Sequence, residues 1–555
     1  MFWPVLIQSN APSRCAPAIK RETDMAGRRG NTGSIFQRDL QIHGSAEWGT
    51  RPYLNKRGYG PHGALLLGYG LPIHEGEGAW PVTYGGARHL LTVAPTRSGK
   101  AVSASVPAIL SHKGPMVVID PKGELAMMTA RYRRDVLGHD VYIADPWNIA
   151  CPQLDMKPAR FNVLDWLNPD NDDFVEDALL IADALIMTHG KTEPFWPDEA
   201  RALIMGLILY VCSTLSEKKN RNLGRVRELL NLGEKEFAAF VGGEFEQDEN
   251  KKWHLVKPGM AQSPNKHVRA AAGRISGKAD KERASVMSTA QQNTHFLESP
   301  RIQASLSQSD FDFRQLENGK TDIYLVLPAG RLTTYSRWLR LLLNVAITAV
   351  SRFERKPEPP VYFLLEEMGA LGKLDVIENA YGLMAGYGMQ LHCVAQDLSQ
   401  LSDLYGSRWQ TFIANSGVIQ IFGTRDLMTA EYVSKLCGVG TVESLSQNTA
   451  ELRASLFSSP HALTREDMVQ SRPLITPDEV MTMHPAAQVL ILANSHPVSC
   501  FKTAYFLDRR FRHKNGKPFF DVHPHYRNKP QPKAYDFTSP KVNVGRILDE
   551  YITGG

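Results

Sequence analysis

No C-x-x-C pair occurs anywhere among the 555 residues; the six cysteines, Cys15, Cys151, Cys212, Cys393, Cys437 and Cys500, stand far apart. Zinc sites and small disulfide frameworks need clustered thiols, so this scatter argues against both and suits a reducing compartment. A run of roughly 20 apolar residues, the length a membrane-spanning helix needs, is also missing. The nearest approaches, ALIMGLILYVC (202–212) and LLLNVAITAV (341–350), are short and bounded by Arg201 or by Arg340 and Arg352, which predicts buried core helices. The start, MFWPVLIQSN, has too brief an apolar stretch for a signal peptide and no basic residue before it. A large charge excess is absent too: the net charge is +5, so any contact with nucleic acid must rest on local clusters of cations. There are no internal repeats. Together these absences predict a cytoplasmic chain.

What is present is an ordinary globular composition, 43% hydrophobic and 22% charged, long enough for two or more packed domains. Residues 1–42 are polar, carry a GRRGNTG patch and predict a flexible tail. From 43 to 165 the pattern runs strand, glycine-containing loop, helix, strand, with HLLTVA (89–94) and MVVID (116–120) as the strands. Between 166 and 298 only helical periodicity is evident, which predicts an all-α domain; its polar stretch VGGEFEQDENKKWHLVKPGMAQSPNKH (241–267) reads as a mobile loop. Strands return over 299–508: DIYLVLP, VYFLLEE, LHCVAQ, GVIQIFG and QVLILAN. The alternation predicts an α/β fold, a doubly wound and mostly parallel sheet with the all-α domain inserted into it. The basic, Pro-rich end, 509–555, reads as a loosely ordered tail.

The chemistry concentrates at TVAPTRSGKA (92–101). In a phosphate loop of the form G-x-x-x-x-G-K-[ST], successive backbone N–H groups and the start of the following helix surround a phosphate while the lysine reaches its outer oxygens. Gly99 and Lys100 supply the two parts hardest to replace, with Pro95, Thr96, Arg97, Ser98 and Ala101 completing the cradle. Ala94 opens the loop where glycine is usual, and Pro95 compensates by fixing φ in the turn. Ala101 closes it without the hydroxyl that usually binds magnesium, so the coordination must be completed elsewhere in the site.

Strand ends supply further groups. VYFLLEE puts Glu366 and Glu367 at the carboxyl end of an apolar strand, where ligands of open α/β sheets gather. Glu366 is the candidate magnesium ligand, and Glu367 the candidate group that polarises the attacking water. MVVIDPKGEL sets Asp120, with Lys122 and Glu124, beside the loop, and LHCVAQD sets Gln396 where it would sense a γ-phosphate. Arg425, at the end of another strand, is either an arginine finger for a neighbouring subunit's phosphate or a surface partner of Asp426 or Glu431.

The ordered set HGSAEWG (43–49), APTRSGKAVSASVPAIL (94–110), VVIDPKGEL (117–125), PFWPDEARALIMGLILY (194–210), TDIYLVLPAGRLTTYSRWLRLL (321–342), FLLEEMGALGKL (363–374) and 386–438 resembles the TraG/VirD-type coupling proteins of type IV secretion. That resemblance implies a RecA-like P-loop ATPase that uses ATP and magnesium, with Lys100 on the β/γ-phosphates, Glu366 on the metal and Glu367 on water. It further implies a hexameric ring that recruits and moves single-stranded DNA with its relaxase, or effector proteins, in concert with other secretion ATPases and inner-membrane components. In that family the closing loop position commonly lacks a hydroxyl, which accommodates Ala101. Two departures stand out: members usually have Asp-Glu where this chain has Glu366-Glu367, and they carry transmembrane helices ahead of the HGSAEWG segment. Either the chain is a soluble form docked through partners, peripheral on the cytoplasmic face of the inner membrane, or it lacks an N-terminal anchor. DNA contact would fall to Lys266, Arg269, Arg274, Lys278, Lys281 and Arg283, or to Arg509, Arg510, Arg512 and Lys514. An ATP-binding recruitment adaptor with little hydrolysis is the alternative, and a duplex helicase ranks last.

Overall fold

The computed structural model describes residues 44–71, 77–186, 195–249, 251–445 and 467–552; the expected N-terminal tail over 1–42 lies outside them. The chain divides into two compact units, 46–440 with 472–555, and 1–45 with 441–471.

In chain order the strands are β1 (Leu65–Gly70), β2 (Trp80–Tyr84), β3 (His89–Val93), β4 (Met116–Asp120) and β5 (Asp140–Ala144). There follow β6 (Glu244–Gln247), β7 (Trp253–Lys257), β8 (Thr321–Val326), β9 (Val361–Leu365), β10 (Met389–Ala395) and β11 (Ser416–Ile421). The last four are β12 (Val439–Leu445), β13 (Asp467–Pro473), β14 (Ala487–Leu492) and β15 (Val498–Phe501). In the described part of the smaller unit, β12 and β13 form a two-stranded ribbon.

The larger unit is built on one 11-stranded sheet of order β2-β1-β15-β14-β11-β3-β10-β9-β4-β8-β5. From β11 to β5 every neighbouring pair is parallel; β14, β15, β1 and β2 extend the sheet antiparallel. All the parallel strands except the edge strand β5 are buried on both faces, which is why they read as continuous apolar runs rather than as alternation. Leu91, Val117, Phe363 and Leu391 face one core, while Leu90, Val118, Leu364 and Val394 face the other. β2 contains Pro81 and lies at the edge of the sheet, where a missing N–H breaks no ladder.

The helical region packs on the first face. Its central helix, Phe195–Ser213, buries Ile204, Leu207, Ile208 and Val211 against helices Phe174–Leu185, Lys266–Ser276 and Asp280–Thr294. Gly206 permits the close crossing, since a Cβ there would stand 2.3 Å from Ala271 Cβ. Helix Leu332–Ser351 joins this layer to the sheet; its Trp338 is buried and donates from Nε1 to Ser305 Oγ at 3.1 Å. Both apolar runs read as core helices are therefore buried helices.

Two expectations need correction. The polar stretch 241–267 is not a structureless loop: β6 and β7 pair antiparallel within it, and Asp248 Oδ1 accepts from the Lys252 N–H at 2.8 Å in the turn. Every residue of the two strands is exposed, so the hairpin has no buried face to reveal it as a sequence pattern. The C-terminal stretch is likewise not loose, because Phe511, Phe520, Phe537, Val544 and Leu548 are buried in the second core.

At the amino edge of the sheet a buried ion network ties helix to strand. Arg133 donates to Asp322 on β8 through Nε at 2.6 Å and Nη2 at 2.8 Å, and to the carbonyls of Ile109 and His112 at 3.0 and 2.6 Å. His139 Nδ1 lies 2.9 Å from the same carboxylate.

Candidate active site

Ala94, the unusual opening residue of the glycine-containing loop, directly follows β3 and continues its pairing rather than taking part in the turn. Its N–H donates to the Ala395 carbonyl at 2.9 Å, prolonging the pairing of β3 with β10, and its side chain is buried beside Ala104 and Phe422. Alanine fills that place better than glycine. The turn begins at Pro95, whose carbonyl accepts from the Ser98 N–H at 3.2 Å and Ser98 Oγ at 2.7 Å. Arg97 and Gly99 both have positive φ, 64° and 84°, so backbone strain is carried at Arg97 and avoided at Gly99. The helix after the loop starts with a wide π-helical turn, Ala101–Ser105, and continues as Val106–Ser111.

Lys100 lies against the carboxyl ends of three adjacent parallel strands, β3, β10 and β9. Its Nζ is salt-bridged to Glu367 Oε1, both side chains being largely shielded from solvent. Glu367 Oε2 accepts from Gln396 Nε2 at 3.1 Å, and Gln396 Oε1 accepts from Thr96 Oγ1 at 3.4 Å. Lysine, glutamate, glutamine and threonine thus form one chain from loop to loop. Glu367 itself sits at φ 57°, ψ 45°, a left-handed conformation that a glutamate adopts at a cost. Burial opposes its charge, but Lys100 and Gln396 outweigh burial and hold the carboxyl below its ordinary range. Gln396 is fixed from behind, for its N–H donates to Gln400 Oε1 at 3.3 Å and the next residue, Asp397, caps helix Leu398–Tyr405.

Glu366 behaves differently. It is only 6% exposed, and burial pushes its carboxyl up to about 7 despite the attraction of Lys100. Ser105 Oγ donates to its Oε1 at 3.3 Å. Asp120 ends β4, the strand beside β9, and is fully buried. Its Oδ2 accepts from the Ala126 N–H at 2.8 Å, while Oδ1 is buried without a hydrogen-bond partner. Burial first, then the neighbouring Glu366, pushes Asp120 up to about 8. Two shielded carboxyl groups that both resist ionisation, one with an orphaned oxygen, make a place where positive charge is wanted. A divalent cation with oxygen ligands fits this donor set. Among the described residues no cluster of three or more metal-ligating side chains occurs, so water or phosphate oxygens would have to complete the shell.

Of the other predicted residues, Glu124 pairs with His523 at 3.4 Å, which holds its carboxyl below the usual range. Arg425 follows β11, the strand beside β3, and is exposed. Among the described residues no ion pair joins it to Asp426 or Glu431; Asp426 is engaged in capping helix Leu427–Cys437 through the Thr429 N–H at 2.9 Å. The helical-region cations are partly spoken for: Arg274 and Lys278 both pair with Glu199, at 2.5 and 2.9 Å, and Arg283 pairs with Asp280 at 2.6 Å.

Ser105 and Lys502 escaped the sequence reading. Ser105 stands four residues after Ala101, one helical turn on, and that spacing was the available signal. Lys502 follows β15 on the antiparallel extension, and nothing in the local sequence joins it to the loop.

The residue set and its place on the sheet now meet their relatives. A family model described as type IV secretory system conjugative DNA transfer matches residues 45–527. The chain belongs to that family. It is 29% identical over 496 residues to protein VirD4 of Rhizobium rhizogenes, covering 86% of this chain and 68% of that one. It is 27% identical over 429 residues to conjugal transfer protein TraG of Agrobacterium fabrum, covering 76% and 61%. The chain thus spans about two thirds of the length of these relatives. A solved structure of the bacterial conjugative coupling protein TrwBdeltaN70 superposes with TM-score 0.60 at 15% identity, over 85% of this chain and 94% of that one. The plasmid coupling protein TrwB in complex with ADP and Mg2+ gives TM-score 0.59 at 14% identity, over 83% and 94%. The likeness establishes the shared RecA-like fold. Among the described residues no helix is long and apolar enough to cross a membrane.

Proposed function

We propose that the chain is an ATP-hydrolysing coupling motor of conjugative DNA transfer. The observation that carries the reading is the chain from Lys100 through Glu367 and Gln396 to Thr96, assembled over the carboxyl edge of the parallel sheet. Family membership and the nucleotide complexes of TrwB support it.

In this reading the amine of Lys100 leaves Glu367 for the β/γ-phosphates, and Thr96, Arg97, Ser98, Gly99 and Ala101 surround them with backbone N–H groups. Magnesium, held by Glu366 with Asp120 behind it, would neutralise charge that builds on the outer phosphate oxygens. Glu367, released from Lys100, orients the attacking water and accepts its proton; loss of the lysine contact that held its carboxyl low raises its proton affinity and makes it the better base. Gln396 links that carboxylate to Thr96 and so reports which phosphate is bound. Arg425, exposed beyond the strand next to the loop, serves the site of an adjoining subunit in a hexamer. Hydrolysis then moves channel loops against single-stranded DNA or a protein cargo. Docking on the inner membrane's cytoplasmic face and on other secretion components completes the assignment.

A DNA-stimulated ATPase assay separates this from the recruitment adaptor. The natural chain should release phosphate in response to single-stranded DNA, while Lys100→Ala and Glu367→Gln should not. Lysine-independent release, or none at all with cargo binding intact, overturns the motor assignment.

A further inference from the structure

Lys502 is buried at 2% exposure, and its Nζ donates to the Ser98 carbonyl at 3.1 Å from the far end of the chain. The amine also lies 3.9 Å from the centroid of the Phe422 ring, at the base of the loop. Among the described residues no carboxylate pairs with it, and burial alone lowers its pKa to about 7. Burying an amine without a counter-ion is costly, and a methionine of similar length would pack there at less cost. The loop contact is what the lysine adds.

A trans peptide unit is planar, so the C=O of Ser98 and the N–H of Gly99 point in opposite directions. Holding the carbonyl inward therefore turns the Gly99 N–H outward, the direction in which the cradle presents donors. Gly99, at φ 84°, tolerates either orientation of that peptide with little steric penalty. A flipped unit would present a carbonyl oxygen to the phosphates and repel them. We propose that Lys502 is a positioning residue that locks the Ser98–Gly99 peptide with its N–H facing the bound phosphates. The inference rests on the nucleotide reading of the site, and it assigns the antiparallel extension of the sheet a part in setting the loop.

The test uses the whole chain and its Lys502→Met and Lys502→Arg variants, with Lys100→Ala as a separate arm. ATP affinity is measured by calorimetry from pH 6.5 to 8.5, and hydrogen exchange is followed over residues 94–101 with and without ATP. Lys502→Met should melt at or above the natural chain yet exchange faster across the loop before ATP is added. It should bind ATP ~10-fold more weakly, because only part of its population has the competent peptide. The natural chain should lose affinity more steeply than Lys502→Met as pH rises, and Lys502→Arg should recover part of the binding. Wild-type affinity and unchanged loop exchange in Lys502→Met overturn the proposal; so does a lowered melting point with exchange spread over β14 and β15, which marks a packing role. Failure of the natural chain to bind ATP through Lys100 overturns the nucleotide reading instead, and the exchange of the ligand-free loop still decides whether Lys502 pins it.

Discussion

Ser105 Oγ donates to Glu366 Oε1 at 3.3 Å, one helical turn beyond the alanine that closes the phosphate loop. The hydroxyl missing at position 101 thus has a counterpart lower on the same helix, and it acts on the candidate metal ligand rather than on the metal. Hydrogen bonds of this kind orient a ligand and favour its ionised form.

Ser105→Ala should therefore raise the magnesium concentration needed for half-maximal ATP hydrolysis by about 10-fold, a usual cost of losing such a partner. ATP binding without magnesium should change little. A magnesium titration of phosphate release checks both statements, and an unaltered midpoint would separate Glu366 from the metal.

Gln396 joins Glu367 to Thr96, so its loss affects the group that positions water more than the groups that hold nucleotide. Gln396→Ala should lower kcat on the order of 100-fold with KM within a few-fold, as for loss of one preorganised donor. Steady-state kinetics with single-stranded DNA present would show the split. A change confined to KM would make Gln396 a binding residue only.

Much of this arrangement was legible beforehand. β3, β4, β8, β9, β10 and β11 announce themselves because strands buried on both faces must be apolar throughout, and their carboxyl ends lie at the edge where the polar residues of the site gather. Of the antiparallel extension only β14 was legible: β1 contains two glycines, β2 a proline, and β15 is only four residues long. Their pairing is decided by partners distant in sequence. The hairpin at 244–257 has no core-facing side, and the C-terminal stretch finds its order only through scattered aromatics that reach the second core. Lys502 was hidden for the same reason as β15, since its function depends on a contact that only the folded sheet creates.

Arg133 and Asp322 are both fully buried, and the guanidinium also satisfies several carbonyls. Removing one partner leaves the other charge buried and alone. Arg133→Met should lower stability by about 3–5 kcal/mol, whereas pairing it with Asp322→Leu should recover part of that loss. Chemical denaturation of the three proteins measures both values. Because the network lies at the amino edge of the sheet, ATP affinity of the single variant should match the natural chain wherever it remains folded.

His392 sits at the centre of a hydrogen-bonded ribbon that crosses the sheet. Tyr362 Oη lies 2.6 Å from its Nδ1 and Thr92 Oγ1 lies 2.7 Å from its Nε2. Thr92 continues to Gln420 at 3.1 Å, and Gln420 to Gln488 at 2.6 Å. Burial lowers the imidazole from its ordinary 6.5 to about 3, so the folded protein keeps it neutral where the unfolded chain would protonate it. Between those values the unfolded state binds more protons, and stability must fall as pH falls from 6.5 towards 3. At pH 5 the share of His392 is about 2 kcal/mol relative to pH 7. His392→Gln should start less stable at neutral pH because the ribbon is broken, yet lose less on acidification by about that amount. Denaturation curves at pH 7 and pH 5 compare the two proteins directly. Other titrating groups cancel in the difference, so parallel losses would mean that His392 is already protonated in the fold.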